Sequence, residues 1–209
     1  LLYQNYHLRT RNEKKLAFGL SLIGLLEYRK GNYDISIERN LESYSIRKKI
    51  QDLKGQGESL NNLALGYMGL KNWNQALLYL EQAVQVKTQA NDLTQMTVIL
   101  NNMGHCHSRE GRSDEALRFF NLALTKGKEN GQMGDVVNSY RNIIGLLVKS
   151  KNHDEAFRIQ TELLDLKDSL AAIERIEAIH ELEVQYETEK KEQEIMLLQQ
   201  DKTIITNRW

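Results

Sequence analysis

Four stretches of this sequence align without gaps at a spacing of 40 residues, and that period constrains the fold more than any other feature. Ser36, Ala76, Ala116 and Ala156 occupy equivalent positions. Gly31-Asn32-Tyr33, Lys71-Asn72-Trp73, Gly111-Arg112-Ser113 and Lys151-Asn152-His153 share one phase. Each reads as a turn followed by a helix start. In the third unit Met96, Ile99, Leu100, Met103 and His107 form one apolar stripe. After the turn, Ala116, Phe119, Phe120, Ala123 and Leu124 form a second. Both have the spacing of a helix with one buried face. Each unit is therefore a helix A, a tight turn and a helix B. Asp114-Glu115 puts negative charge at the start of helix B, where the helix dipole favours it. The small residue at the shared phase lets helix B approach helix A closely. One hairpin cannot bury both of its faces, so the units must stack. The expected class is all-α, a solenoid of antiparallel helix pairs.

Composition agrees. Hydrophobic residues make up 41% of the 209, enough for a core. There is no proline, which suits a nearly all-helical chain because proline breaks helix interiors. The 28 basic and 28 acidic residues cancel, so no bulk field favours nucleic acid or an anionic membrane. The single cysteine, Cys106, excludes an internal disulfide. No apolar run reaches the length of a bilayer span.

The second unit reads Leu60-Asn61-Asn62-Leu63-Ala64-Leu65-Gly66-Tyr67, then Trp73-Asn74-Gln75-Ala76-Leu77 and Leu80-Glu81-Gln82-Ala83. That pattern resembles the tetratricopeptide repeat family, in its class with longer, 40-residue units. Ser36 replaces alanine in the first unit, and Gln160 replaces a large apolar residue in the fourth. The resemblance implies a right-handed solenoid with repeats at 13–52, 53–92, 93–132 and 133–170. Residues 1–11 fall in phase with 41–51, so 1–12 is expected to be helix B of a truncated upstream repeat.

Residues 171–209 contain no glycine or proline and read as one long capping or linker helix. Ile173, Ile176, Ile179, Leu182 and Tyr186 are expected to cover the end of the stack. Ile195, Leu198 and Ile205 follow a charged stretch, with a weak coiled-coil heptad. Lys167-Asp168-Ser169-Leu170 and Tyr186-Glu187-Thr188-Glu189-Lys190-Lys191-Glu192-Gln193-Glu194-Ile195 resemble the sensor regions of Bacteroidetes-type histidine kinases and helix-turn-helix regulators. This resemblance implies a signal-transduction protein, a periplasmic position next to a membrane span, and a homodimer through the last helix. The alternatives are a static adaptor and a cytoplasmic location.

No residue group meets the criteria of a catalytic site, and no cofactor motif appears, so the chain reads as a non-enzyme. The glycines between Gly127 and Gly134 lie about a helix-to-helix connection rather than a phosphate loop. His105-Cys106-His107 invites a metal reading, but neighbours on a helix point about 100° apart and cannot converge on one ion. The candidate site is a polar ladder on the A helices. Asn62, Asn102 and Asn142 recur every 40 residues, each preceded by Asn61, Asn101 or Arg141. His105, Arg109 and Asn138 lie on nearby turns. In resembling repeat proteins these positions line a concave groove that binds extended peptides. An asparagine amide offers a donor and an acceptor and can pair with a peptide backbone. Arginine adds a carboxylate contact. The same asparagines could instead bond across neighbouring A helices, and sequence leaves both roles open.

Overall fold

The computed structural model describes residues 2–206, with side-chain surroundings for 9–193 and 195. Its elements are α1 (Leu2–Lys30), α2 (Tyr33–Lys49), α3 (Leu53–Gly69), α4 (Trp73–Gln89), α5 (Met96–Arg109), α6 (Ser113–Glu129), α7 (Met133–Lys149) and α8 (His153–Thr206). No strand occurs among the described residues. No described helix is long and apolar enough to cross a membrane. The chain divides into two bodies, Leu1–Gln160 and Thr161–Trp209.

In the first body the odd-numbered helices are the A helices and the even-numbered are the B helices. The four turn triplets of the sequence end where the B helices begin, at Tyr33, Trp73, Ser113 and His153. All four turns close the same way. Gly31, Lys71, Gly111 and Lys151 adopt positive φ, and the next N–H reaches back to a carbonyl five residues earlier. In the second turn that bond runs from Asn72 N to Tyr67 O at 2.9 Å. This left-handed cap satisfies carbonyls that a helix end would otherwise orphan. Asn72 also caps α4, its side chain accepting from Gln75 N at 3.2 Å.

The core lies where the stripes meet. Leu60, Leu63, Ala64, Ala76, Leu80 and Ala83 are buried from the second unit, and Met96, Ile99, Leu100 and Met103 continue the cluster into the third. The small residues do what the pattern implies, since Ser36, Ala76, Ala116 and Ala156 are all buried. Helix A reciprocates with glycine. A side chain at Gly104 would collide with the Phe120 ring, and one at Gly69 with the Tyr33 ring.

Three features of the helices bear on the expected boundaries. No turn separates residues 1–12 from 13–52, because α1 runs unbroken over that boundary. The fourth B helix and the expected long helix after Leu170 are one element, α8, which runs on to Thr206. Finally, Ile173, Ile176, Ile179, Leu182 and Tyr186 are exposed, at 51–68%. The first four are spaced by three residues. At about 100° per residue, Ile173 and Leu182 point to opposite sides of the helix and form no single covering face. Ile195 is also exposed. The side chains of Leu198 and Ile205 lie outside the described residues.

The α4–α5 junction departs from the others. Here Asp92-Leu93-Thr94-Gln95 replaces the first turn of the A helix, and α5 has 14 residues where α3 and α7 have 17. A buried cation is held by this segment. Lys87 is fully buried, its stem lying where Gly57 has no side chain. Its ammonium donates to Asp92 Oδ2 at 2.9 Å, and Asp92 Oδ1 accepts from the Thr94 hydroxyl and from Thr94 N at 3.1 Å. Arg47, one repeat earlier, is buried too and donates to Gly55 O and to Glu58 at 3.0 Å.

Candidate functional site

The A helices carry a polar stripe on the side away from the core. On α5 it consists of Val98, Asn102, His105 and Arg109, spaced by four, three and four residues. That spacing keeps them on one face. On α7 the matching face carries Asn138, Arg141, Asn142, Gly145 and Lys149. These two stripes border two depressions of about 310 and 280 Å³. A third, of about 760 Å³, is bordered by Tyr28, Tyr33, Leu65, Met68, Lys71 and Trp73, and by Asn102, His105 and Arg109. His105 borders all three, so they form one groove across α5.

The asparagine ladder is tied across the helices. Asn102 Nδ2 donates to Asn61 Oδ1 at 3.0 Å, and Asn142 Nδ2 donates to Asn101 Oδ1 at 3.1 Å. Asn101 Nδ2 donates in turn to Ser139 Oγ at 2.9 Å. Asn61 and Asn101 are buried, at 7% and 6% exposure. Their side chains therefore tie neighbouring A helices together, and Asn101 also borders one of the depressions. Asn62 is half-buried and borders none of the three depressions. Asn102 and Asn142 border the groove, and each spends one donor on the ladder. An amide has two donors and an acceptor oxygen, so each keeps capacity to spare. Asn138, Arg141 and Arg109 are exposed in the groove wall.

His105 is held by packing. Its ring meets the edge of Phe120 at 5.3 Å between centroids, in the space left by Gly104. Burial lowers its pKa, and the positive charge of Arg109 lowers it further. His107 points elsewhere, stacked on Phe119 at 5.1 Å. Cys106 lies fully buried. Burial, aided by Glu110, pushes its thiol up to about 12. The three neighbours thus face three surroundings, as the helical geometry requires.

Sequence reasoning missed the aromatic end of the groove. Tyr28, Tyr33 and Trp73 come from three helices, so no local motif joins them. The repeat frame did hold a signal: Tyr33 and Trp73 share one phase, and Tyr28 and Met68 another. Arg109 and Lys149 share a third. Asp135 is the one acid bordering the three depressions among the described residues, and burial raises its pKa.

Helix pairs stacked at a 40-residue period, with a groove on their A helices, define a helical-repeat protein. Residues 55–129 match the tetratricopeptide repeat family model. The fold of the chain is the tetratricopeptide-type helical repeat. Among known proteins, it is 23% identical over 160 residues to the regulatory protein RapG of Bacillus subtilis (strain 168), a match covering 76% of this chain and 42% of RapG. The chain thus spans under half the length of that relative. It superposes on aspartyl phosphate phosphatase F from Bacillus subtilis with a TM-score of 0.71 and 16% identity, covering 76% of this chain and 42% of that one. A Rap protein complexed with competence and sporulation factor gives a TM-score of 0.68 at 17% identity, covering 74% and 43%.

Proposed function

We propose that the chain is a protein- or peptide-binding module from a bacterial signal-transduction protein, and that it holds an extended segment in the groove across α5. The observation that carries this reading is the continuity of the groove. Three depressions meet at His105, walled by amides with unused hydrogen-bonding capacity. Such amides can pair with a peptide backbone whatever its side chains. The similarity to RapG, which bears the name of a regulatory protein, favours a regulatory context. So does the Rap protein solved with competence and sporulation factor.

The unbroken course of α8 supports the signalling part of the proposal. A fourth B helix that runs on for 54 residues can carry a change in its packing along its own axis. A ligand would bias that helix only through different affinity for two arrangements. The resemblance at Tyr186–Ile195 would place the module in the periplasm, beside a membrane span, with α8 pairing in a homodimer.

Plugging the groove without touching the ladder tests the binding role. Asn138 is exposed, borders the groove and takes no part in the Asn61–Asn102 or Asn101–Asn142 bonds. Asn138→Trp should abolish capture of peptide ligands from an array and leave the melting curve unchanged. Equal capture by the plugged variant would sink the groove reading.

A further inference from the structure

Overall the chain is neutral, with 28 basic and 28 acidic residues. Its groove is not. Lys71, Arg109, Arg141 and Lys149 border the three depressions, against the single acid Asp135. None of these four cations has an ion-pair partner among the described residues. What sets the groove apart is this local excess rather than the lack of pairing, since Arg29, Lys48, Lys54 and Arg118 also have no ion-pair partner among the described residues, while other basic side chains do. Lys30 pairs with Glu27, Arg39 with Glu42, Lys49 with Glu13 and Lys126 with Glu129, each at 2.7–2.9 Å.

The largest depression adds an apolar end. Tyr28 and Tyr33 face each other at 5.6 Å between ring centroids, with Leu65, Met68 and Trp73 on the same rim. Gly69 keeps this end open, because a side chain there would drive into the Tyr33 ring. No acid borders this bowl, whereas Lys71 and Arg109 do. Desolvated aromatic pockets are where interfaces concentrate binding energy, and unpaired cations beside them select partners by charge.

We propose that the groove selects an acidic protein segment bearing one large apolar side chain. The apolar group would sit among Tyr28, Tyr33 and Trp73, and the segment's carboxylates would face Arg109 and Arg141. This rests on the peptide-binding reading above and adds the ligand class to it. A protein segment suits the site better than a nucleic acid strand, because the amides of Asn102 and Asn142 line the groove along with the cations and match a peptide backbone.

The test is selection from a phage-displayed library of random short peptides, followed by titration of the enriched peptides. Trp73 reports binding by its own emission once Trp209, the second of the two tryptophans, is changed to Phe. The expected result is enrichment of Asp and Glu around one aromatic residue or Leu, with a change in Trp73 emission on binding. Affinity should fall at least about tenfold in Arg109→Ala/Arg141→Ala, the scale of losing close charge contacts. Arg109→Glu/Arg141→Glu should shift selection toward basic peptides. Enrichment of basic or neutral peptides whose binding is lost in Asn138→Trp overturns the ligand class and leaves the groove standing. Enrichment indifferent to Asn138→Trp, or none at all, removes both. A single-stranded oligonucleotide that binds more tightly than any selected peptide also overturns the proposal.

Discussion

Lys87 at the α4–α5 junction and Arg141 in the groove are both cations on a helical repeat, yet burial gives them opposite tasks. Lys87 is sealed from solvent and held by Asp92, which Thr94 holds in turn. Arg141 is exposed and has no ion-pair partner among the described residues. The asparagine ladder lies between these extremes, with one residue of each bonded pair buried and the other at the groove wall. A polar group that is buried and fully partnered stabilises the stack. One that is exposed and has bonding capacity left is available to a ligand.

The comparison is broken most severely at Asp92. Asp92→Ala leaves the Lys87 ammonium buried without its carboxylate, and chemical denaturation should register a loss of about 3 kcal/mol, typical of breaking a buried pair. Replacing both partners by apolar residues of similar size, Lys87→Met with Asp92→Leu, should recover most of that loss. Acid probes the same pair. Burial alone would raise the Asp92 pKa, but the hydrogen bonds from Thr94 and Lys87 outweigh it and hold it at about 2. A carboxylate with a depressed folded pKa stabilises the fold above its ordinary range and loses that contribution as it protonates. The stability gap between wild type and Asp92→Asn should therefore be full above about pH 4 and close as pH falls toward about 2. A gap that persists below that range would show that the carboxylate charge is not what holds the junction.

Asn101→Ala is the next largest change. It removes the acceptor of the half-buried Asn142 amide and the donor to Ser139, whose hydroxyl keeps its bond to Asp135 O. The expected cost is about 2 kcal/mol, within the usual penalty for orphaned hydrogen-bonding groups. A cost near zero would mean that the ladder does not fix the stacking and that its asparagines are free for other contacts.

The sequence was most informative where the repeat frame applied. Turn residues at one phase located every B-helix start, because the same left-handed cap recurs at Gly31, Lys71, Gly111 and Lys151. The apolar stripes located the core for the same reason. It was silent on the Asp92–Gln95 loop, whose Asp92 and Thr94 hold a buried lysine, a fact that composition does not reveal. It also left the ladder undecided. Asn102 reaches Asn61 and Asn142 reaches Asn101, pairs one residue out of step with the repeat, so the bonding follows from the offset between helices and not from the period. The aromatic bowl was hidden because its members come from separate helices and meet only after stacking.

Arg141→Ala gives the smallest stability effect and the sharpest contrast with Lys87. The side chain is exposed and takes part in no hydrogen bond or ion pair among the described residues, so its loss should change stability by less than about 0.5 kcal/mol. Binding should respond instead. A cation at the wall of an open groove acts through a field that salt screens, so the affinity lost in Arg141→Ala should shrink as ionic strength rises. Denaturation and peptide titration of this one variant, at low and high salt, therefore separate the two tasks. A stability loss comparable to that of Asn101→Ala would place Arg141 with the groups that hold the stack together, and the distinction between groove and junction would fail.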